Sequence, residues 1–182
     1  MRVAKLALPL LFIAASCAVA AAQAKPVTPK QEDRERIVRL IRVIEVDPLG
    51  EEAKKAGRLL ISWRPESLGI TVSICGDLIE PLLRSHPGKK RTIIILLQVG
   101  YSSAAFMLEH PEKAKDFKAT NLAGLEGALK VYEAILKTEP GERWEFLDGL
   151  VEKRDRGLLD DYVRQSLRKG CRKKKILSPI IT

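Results

Sequence analysis

The chain has 182 residues, of which 30% are charged and 46% are hydrophobic, and its formal net charge is +9. This length leaves room for one compact domain with a core of its own. The charge distribution excludes a uniformly basic protein: two of the 32 cations lie at positions 2 and 5, seven follow Asp161, and the remaining 23 balance the 23 acids.

Residues 1–24 have the three parts of a secretory signal peptide. Arg2 and Lys5 form a short positive region, an uncharged apolar run follows over residues 6–22, and the sequence Ala-Gln-Ala then fits the small-x-small cleavage rule. We expect cleavage after this sequence and export of residues 25–182 to the periplasm or the extracellular space. An uncleaved membrane anchor is the alternative, because the apolar run approaches the length of a membrane span.

Cleavage would remove Cys17 and leave two cysteines, Cys75 and Cys171. Lipidation of Cys17 is disfavoured, since the three residues before it lack a large aliphatic side chain. Two cysteines in an exported protein are more often paired than free, so we predict a disulfide between Cys75 and Cys171. The alternative is two free thiols in a chain that meets a reductant.

Apolar residues at helical spacing predict two helices at the start of the mature chain. The first has Thr28 as a candidate N-cap and Pro29 at its first helical position, and the sequence Asp47-Pro48 ends it. The second carries an amphipathic stripe of apolar residues and ends before Pro65.

The stretch SLGITVSIC, residues 67–75, favours a strand, because Ile70, Val72 and Ile74 alternate with smaller or polar residues. A lone strand has nothing to pair with, so residues 69–76 are predicted to be either extended or a continuation of helix. A short helix over GDLIEPLLRS and a loop at HPGKK follow.

The most apolar part of the mature chain runs from Thr92 to Leu108, which is 17 residues without a charge. A membrane span is one interpretation, but the length is at the lower limit and the polar residues inside the run make insertion harder. We favour the buried central helix of a bundle, in which Gly100, Ser103 and Ala104 would let a neighbouring helix approach closely.

Three more helices are predicted after this apolar run. Thr120 is the candidate N-cap of the first of them, which carries the clearest helical stripe in the chain and ends at Pro140. Two shorter amphipathic helices follow and end at Gly157 and Gly170.

The chain contains no G-x-S-x-G, H-E-x-x-H, C-x-x-C or phosphate-binding loop motif. His86 and His110 could bind a metal as a pair, but two histidines without a third ligand make a weak site. Ser102 and Ser103 could supply a nucleophile, but no base is evident, and small-residue packing is the simpler interpretation. We therefore predict no metal and no cofactor.

Charge is the one local anomaly of the sequence. Seven cations and no acid follow Asp161, so the mature chain carries its whole excess charge there. These side chains could bind an anionic surface, with shallow insertion of the apolar residues among 176–181, or they could form a solvated tail that aids solubility. Nucleic acid is not expected, because the tail has no aromatic side chain for base stacking. The candidate anion-binding residues are Arg168, Lys169, Arg172, Lys173, Lys174 and Lys175.

The predicted fold is a single all-α domain, residues 25–171, with about six or seven helices around a central apolar helix, followed by a basic and apolar tail at residues 172–182. The favoured function is an exported, non-enzymatic interaction or structural module of the cell envelope or extracellular space, with a protein or an anionic envelope surface as its partner. One alternative is a binder of anionic lipid or polymer through the tail. Another is a small-ligand carrier or enzyme with a site between helices. No transmembrane span is expected in the mature chain.

Overall fold

The computed structural model describes residues 29–84 and 91–171, and within these ranges the chain forms seven α-helices and no β-strand, which confirms the predicted all-α fold. The predicted signal peptide, residues 1–24, and the predicted tail, residues 172–182, lie outside the described residues. The helices are α1 (Pro29–Val46), α2 (Glu51–Ile61), α3 (Gly76–Arg84), α4 (Thr92–Glu109), α5 (Phe117–Thr138), α6 (Glu145–Asp155) and α7 (Leu159–Ser166).

Helices α4 and α5 form the centre of the bundle and pack against each other along most of their lengths. They run antiparallel, because Arg91, just before α4, donates a hydrogen bond of 2.6 Å to Glu139, just after α5. At the other end of the pair, Ser103 donates a hydrogen bond of 2.8 Å to the carbonyl oxygen of Thr120. Helix α4 is long and apolar enough to cross a membrane by length and composition, and 61% of it is buried inside the fold, as predicted for a central helix.

Two glycines of α5 allow the close approach of α4. A β-carbon on Gly124 would lie 2.5 Å from the carbonyl oxygen of Val99, and one on Gly127 would lie 2.8 Å from a carboxylate oxygen of Glu45 and closer still to Ser102. Neither position leaves room for a methyl group, so packing rather than backbone conformation requires glycine at both.

Replacing Gly124 with alanine should lower the free energy of unfolding by about 1–3 kcal/mol, because the added methyl group must displace the backbone of Val99. The matched control is Gly149→Ala in α6, where an added β-carbon meets no heavy atom within 4 Å. This control should raise stability by about 0.5–1 kcal/mol, since alanine favours helix over glycine. Urea denaturation followed by circular dichroism measures both changes. Equal stabilisation by the two substitutions would contradict the close packing of α4 and α5.

The segment between Ile70 and Cys75 is neither strand nor helix. Its ends are buried, and the side chain of Asn121 on α5 supplies hydrogen bonds that a partner strand would otherwise provide. The Asn121 side-chain oxygen accepts from the backbone N–H of Cys75 at 2.9 Å, and its amide nitrogen donates to the carbonyl oxygens of Phe117 (2.8 Å) and Ser73 (3.3 Å). Asn121 is fully buried, so it fixes this segment against α5 without a sheet.

Two local predictions are corrected by the structure. Gly100 does not receive a neighbouring helix; a β-carbon there would meet the side chain of Ile74 at 3.4 Å, so this glycine faces the segment before α3. Helix α5 begins before Thr120, because Asp116 is its N-cap and accepts a hydrogen bond from the N–H of Ala119 at 3.0 Å.

Candidate anion-binding site

A disulfide closes one corner of the bundle. Cys75, just before α3, is bonded to Cys171, with Cα atoms 5.8 Å apart and a sequence separation of 96 residues. Cys171 belongs to a π-helical turn, Leu167–Cys171, that follows α7. The predicted pairing is therefore present in the structure. The bond holds this turn against α3, where Gly170 packs directly on the carboxylate of Asp77.

Beside the disulfide, residues from two parts of the chain line a cleft of about 450 Å³, which we call the basic cleft. The start of α5 and the residues just before it form one wall, and α7 with the π-helical turn forms the other. The lining residues are Lys115, Asp116, Phe117, Lys118, Arg164, Leu167, Arg168 and Cys171. Four cations and one acid therefore meet in one cleft.

Two of these four cations are paired with acids in the first turn of α7. The Lys118 amine lies 2.5 Å from a carboxylate oxygen of Asp160, and the guanidinium of Arg164 pairs with Asp161. All four side chains are partly open to solvent, so each pair is weak and can exchange partners.

The other two cations of the basic cleft, Lys115 and Arg168, make no ion pair with any residue in the described ranges. Both side chains are exposed. The one acid in the lining, Asp116, is engaged in capping α5. The cleft therefore keeps two cations whose charge is available to an anion.

The predicted anion-binding residues divide into three groups. Arg168 lines the basic cleft, Lys169 is exposed on the same turn without being part of the lining, and residues 172–175 lie outside the described residues. The sequence interpretation missed Lys115 and Lys118, which come from a different part of the chain. The lysine-rich stretch KAKDFKAT, residues 113–120, was the signal that could have revealed them.

A second polar cluster is buried where α1, α4 and α5 meet. One carboxylate oxygen of Glu45 accepts hydrogen bonds from the Ser102 hydroxyl and from Arg42, each at 2.7 Å. The side-chain amide of Gln98 donates to the Ser102 oxygen at 2.8 Å, and the Lys130 amine lies 3.4 Å from the other oxygen of Glu45. These contacts connect three helices through one carboxylate.

Burial alone would raise the pKa of Glu45, but the hydrogen bonds from Ser102 and Arg42 and the charges of Arg42 and Lys130 outweigh it and hold the pKa below its usual value. A serine hydroxyl that donates to a carboxylate resembles a nucleophile beside a base. Ser102 is only 2% exposed, however, so a substrate cannot reach its hydroxyl in this structure. We interpret the cluster as a structural connection between helices.

Metal ligands are not brought together in the parts of the chain that the structure describes. His110 is exposed, its ring lies 4.8 Å from that of Phe106, and its Nδ1 atom lies 3.7 Å from the carboxylate of Glu112. His86 lies outside those parts. Within residues 29–84 and 91–171, no three histidine, cysteine or carboxylate side chains could together hold a metal ion.

Comparisons of the chain with protein-family models, with curated proteins and with solved structures gave no match. The interpretation of function therefore depends on the charge and geometry of the basic cleft and on the disulfide beside it.

Proposed function

We propose that the protein is an exported helical module that attaches, without catalysis, to an anionic surface of the cell envelope or of the extracellular space. The observation that carries the proposal is the basic cleft beside the disulfide, whose cations Lys115 and Arg168 form no ion pair with any residue that the structure describes. Lys169 is exposed on the same turn, and four more cations, residues 172–175, follow Cys171 directly in the sequence. Three described cations, Lys115, Arg168 and Lys169, therefore lie close to the point after which the four further cations follow in the sequence.

The strength of such attachment can be estimated from the number of cations. Each lysine or arginine near an anionic lipid surface contributes about 1 kcal/mol, and salt screens this attraction over a distance of about 10 Å. The three described cations of this corner and the four that follow Cys171 in the sequence would together contribute at most about 7 kcal/mol, which corresponds to a dissociation constant of about 10 μM. The attachment should therefore be reversible and sensitive to salt. These cations are Lys115, Arg168, Lys169, Arg172, Lys173, Lys174 and Lys175.

Two features support export of the protein. Residues 1–24 have the sequence pattern of a secretory signal peptide. The Cys75–Cys171 disulfide is typical of proteins in oxidising compartments, because reductants in the cytosol keep thiols free. An anionic surface in the periplasm or outside the cell is therefore the partner that both the location and the charge favour.

Replacing residues 172–175 with serine should weaken binding of the protein to phosphatidylglycerol vesicles by up to about a thousandfold at low salt, since four cations that contribute about 1 kcal/mol each are lost. Sedimentation of the protein with the vesicles measures the bound fraction. Vesicles of phosphatidylcholine, which carry no net charge, should retain little of the wild-type protein at any salt concentration.

The matched control removes four cations elsewhere on the surface, at Lys54, Lys55, Lys137 and Lys153, which are all exposed. This variant should bind phosphatidylglycerol vesicles nearly as well as the wild type. If the two variants lose binding equally, the attraction comes from net charge alone. If neither loses binding, the corner is not the attachment surface. Both results would overturn the proposal.

A further inference from the structure

The basic cleft has a composition that purely electrostatic attachment does not require. Beside its cations, the lining contains the side chains of Phe117 and Leu167, which are half-buried and pack against the hydrophobic core. A flat cluster of lysines would serve equally well for attraction to a charged surface. A concave site with an apolar floor and a cationic rim suits a ligand that has both an anionic group and an apolar part.

The charge of the cleft is suited to one phosphate group. Lys118 and Arg164 are paired with acids of α7, which leaves the side chains of Lys115 and Arg168 for an incoming anion. A phosphate diester carries a single negative charge, so two cations are enough to neutralise it and to donate hydrogen bonds to its oxygens. A polyanion would need a longer track of unpaired cations than this cleft offers.

The size of the cleft agrees with a ligand of this kind. Its volume of about 450 Å³ lies within the range of about 300–1,000 Å³ that is usual for small-molecule sites. The apolar floor is also close to the point where the tail begins, because Cys171 is itself a lining residue. Apolar residues at positions 176, 177, 180 and 181 follow the tail cations in the sequence.

We propose that the basic cleft binds the headgroup of an anionic phospholipid, with its phosphate held by Lys115 and Arg168 and the apolar part of the lipid in contact with Phe117 and Leu167. This inference depends on the proposed function, because it names the ligand that the same corner would take from an anionic membrane. The cleft supplies selectivity for a phosphate on an apolar chain, and the tail supplies general attraction to the surface.

Three soluble probes separate the contributions of the phosphate charge and of the alkyl chain to binding. Decyl phosphate has both, inorganic phosphate has only the charge, and decyl maltoside has only the alkyl chain. The disulfide-bonded protein should bind decyl phosphate at least about tenfold more tightly than either control, because every buried methylene adds about 0.8 kcal/mol. Amide chemical shifts in a ¹H–¹⁵N NMR titration measure the affinity. The shifted signals should be those of residues 115–118 and 164–171.

The variant Lys115→Ser/Arg168→Ser should lose decyl phosphate affinity by about tenfold, since both cations that hold the phosphate are removed. Lys137→Ser/Lys153→Ser, which removes the same charge from exposed positions outside the cleft, should bind like the wild type. The variant with serine at 172–175 should also bind decyl phosphate like the wild type, although its vesicle binding is weakened. Circular dichroism checks that each variant is folded.

Four results would test the phospholipid site in the basic cleft separately from attachment to an anionic surface. Equal affinities for decyl phosphate and inorganic phosphate would overturn the lipid headgroup site, because the alkyl chain would then contribute nothing. Binding of phosphatidylglycerol vesicles without any shift in the cleft signals would overturn the inference and leave the proposed function intact. Cleft binding of decyl phosphate without vesicle binding would overturn the proposed function and the phospholipid as ligand, and would leave the cleft as a site for a soluble alkyl phosphate. Loss of decyl phosphate affinity only in Lys115→Ser/Arg168→Ser would support the inference.

Discussion

Replacing Cys75 and Cys171 with alanine should lower the free energy of unfolding by about 4–5 kcal/mol. The two residues are separated by 96 positions, and a cross-link over such a loop removes much conformational entropy from the unfolded chain. Domains of this size are stable by about 5–15 kcal/mol, so the loss is a large fraction of the total. The variant should remain helical at low temperature and unfold at a much lower urea concentration than the oxidised wild type.

Urea denaturation followed by circular dichroism, without reductant, measures this difference. The wild-type protein treated with a reductant is the matched control, because it loses the bond but keeps both sulfur atoms, and it should unfold like the variant. A difference below about 1 kcal/mol would contradict the account, since the packing of Gly170 on Asp77 and of the π-helical turn on α3 would then hold the corner without the bond.

Replacing Glu45 with alanine should lower the free energy of unfolding by about 3 kcal/mol at neutral pH. The Ser102 hydroxyl would lose its acceptor in a buried site, and an unsatisfied buried polar group costs about 1–3 kcal/mol. Arg42 would lose one of its two carboxylate partners, at 2.7 Å, and would keep its pair with Glu109 at 2.6 Å. The cost therefore stays at the lower end of the range of about 3–5 kcal/mol for breaking a buried ion pair.

The stability that Glu45 provides should depend on pH in the acid range. Its pKa is lowered from the ordinary value of 4.5, so the contribution is fully present above pH 4.5 and is lost as the pH falls through the lower pKa of the folded state. Urea denaturation of the wild type at decreasing pH should show this loss, and Glu45→Gln, which keeps the shape without the charge, should lack it.

Glu52→Ala is the control for the Glu45 variants, because the Glu52 side chain is 75% exposed and its ion pair with Lys55 lies in solvent. Its stability should stay close to that of the wild type at every pH. Equal acid sensitivity of Glu45→Gln and the wild type would contradict an ionised, paired Glu45 in the folded protein.

The helices could be predicted because each carries a local pattern of apolar residues at helical spacing, and the apolar run of α4 indicated the central position. The start of α5 could not be predicted in the same way. The prediction placed the N-cap at Thr120, directly before the apolar stripe, although aspartate is preferred over threonine as an N-cap residue. In the fold Asp116 caps the helix and Thr120 lies inside it, where its carbonyl oxygen accepts a hydrogen bond from Ser103 on α4.

The polar groups that connect the helices could not be predicted, because they are far apart in the chain. Glu45 and Ser102 are separated by 57 positions, and Asn121 and Cys75 by 46. Helical periodicity tells which face of a helix is buried, but it does not give the register between two helices. The burial of Glu45 becomes understandable only in the fold, where the Ser102 hydroxyl, Arg42 and Lys130 interact with its carboxylate.

Only one of the two cations that the basic cleft offers to an anion could be predicted from the sequence. Arg168 belongs to the run of cations that segmenting the charge revealed, whereas Lys115 lies in a part of the sequence where acids balance the cations. The two meet only because the start of α5 packs beside α7 and the disulfide holds the π-helical turn in place. The distribution of charge along the sequence therefore indicated Arg168, but it did not indicate the cleft that Arg168 forms with Lys115.

The most direct test of the central claim compares sedimentation of the disulfide-bonded wild-type protein with phosphatidylglycerol and with phosphatidylcholine vesicles, at low and at moderate salt. We predict binding to the anionic vesicles at low salt, release at moderate salt, and little binding to the neutral vesicles under either condition. Equal binding to both kinds of vesicle, or no binding to either at low salt, would contradict the claim.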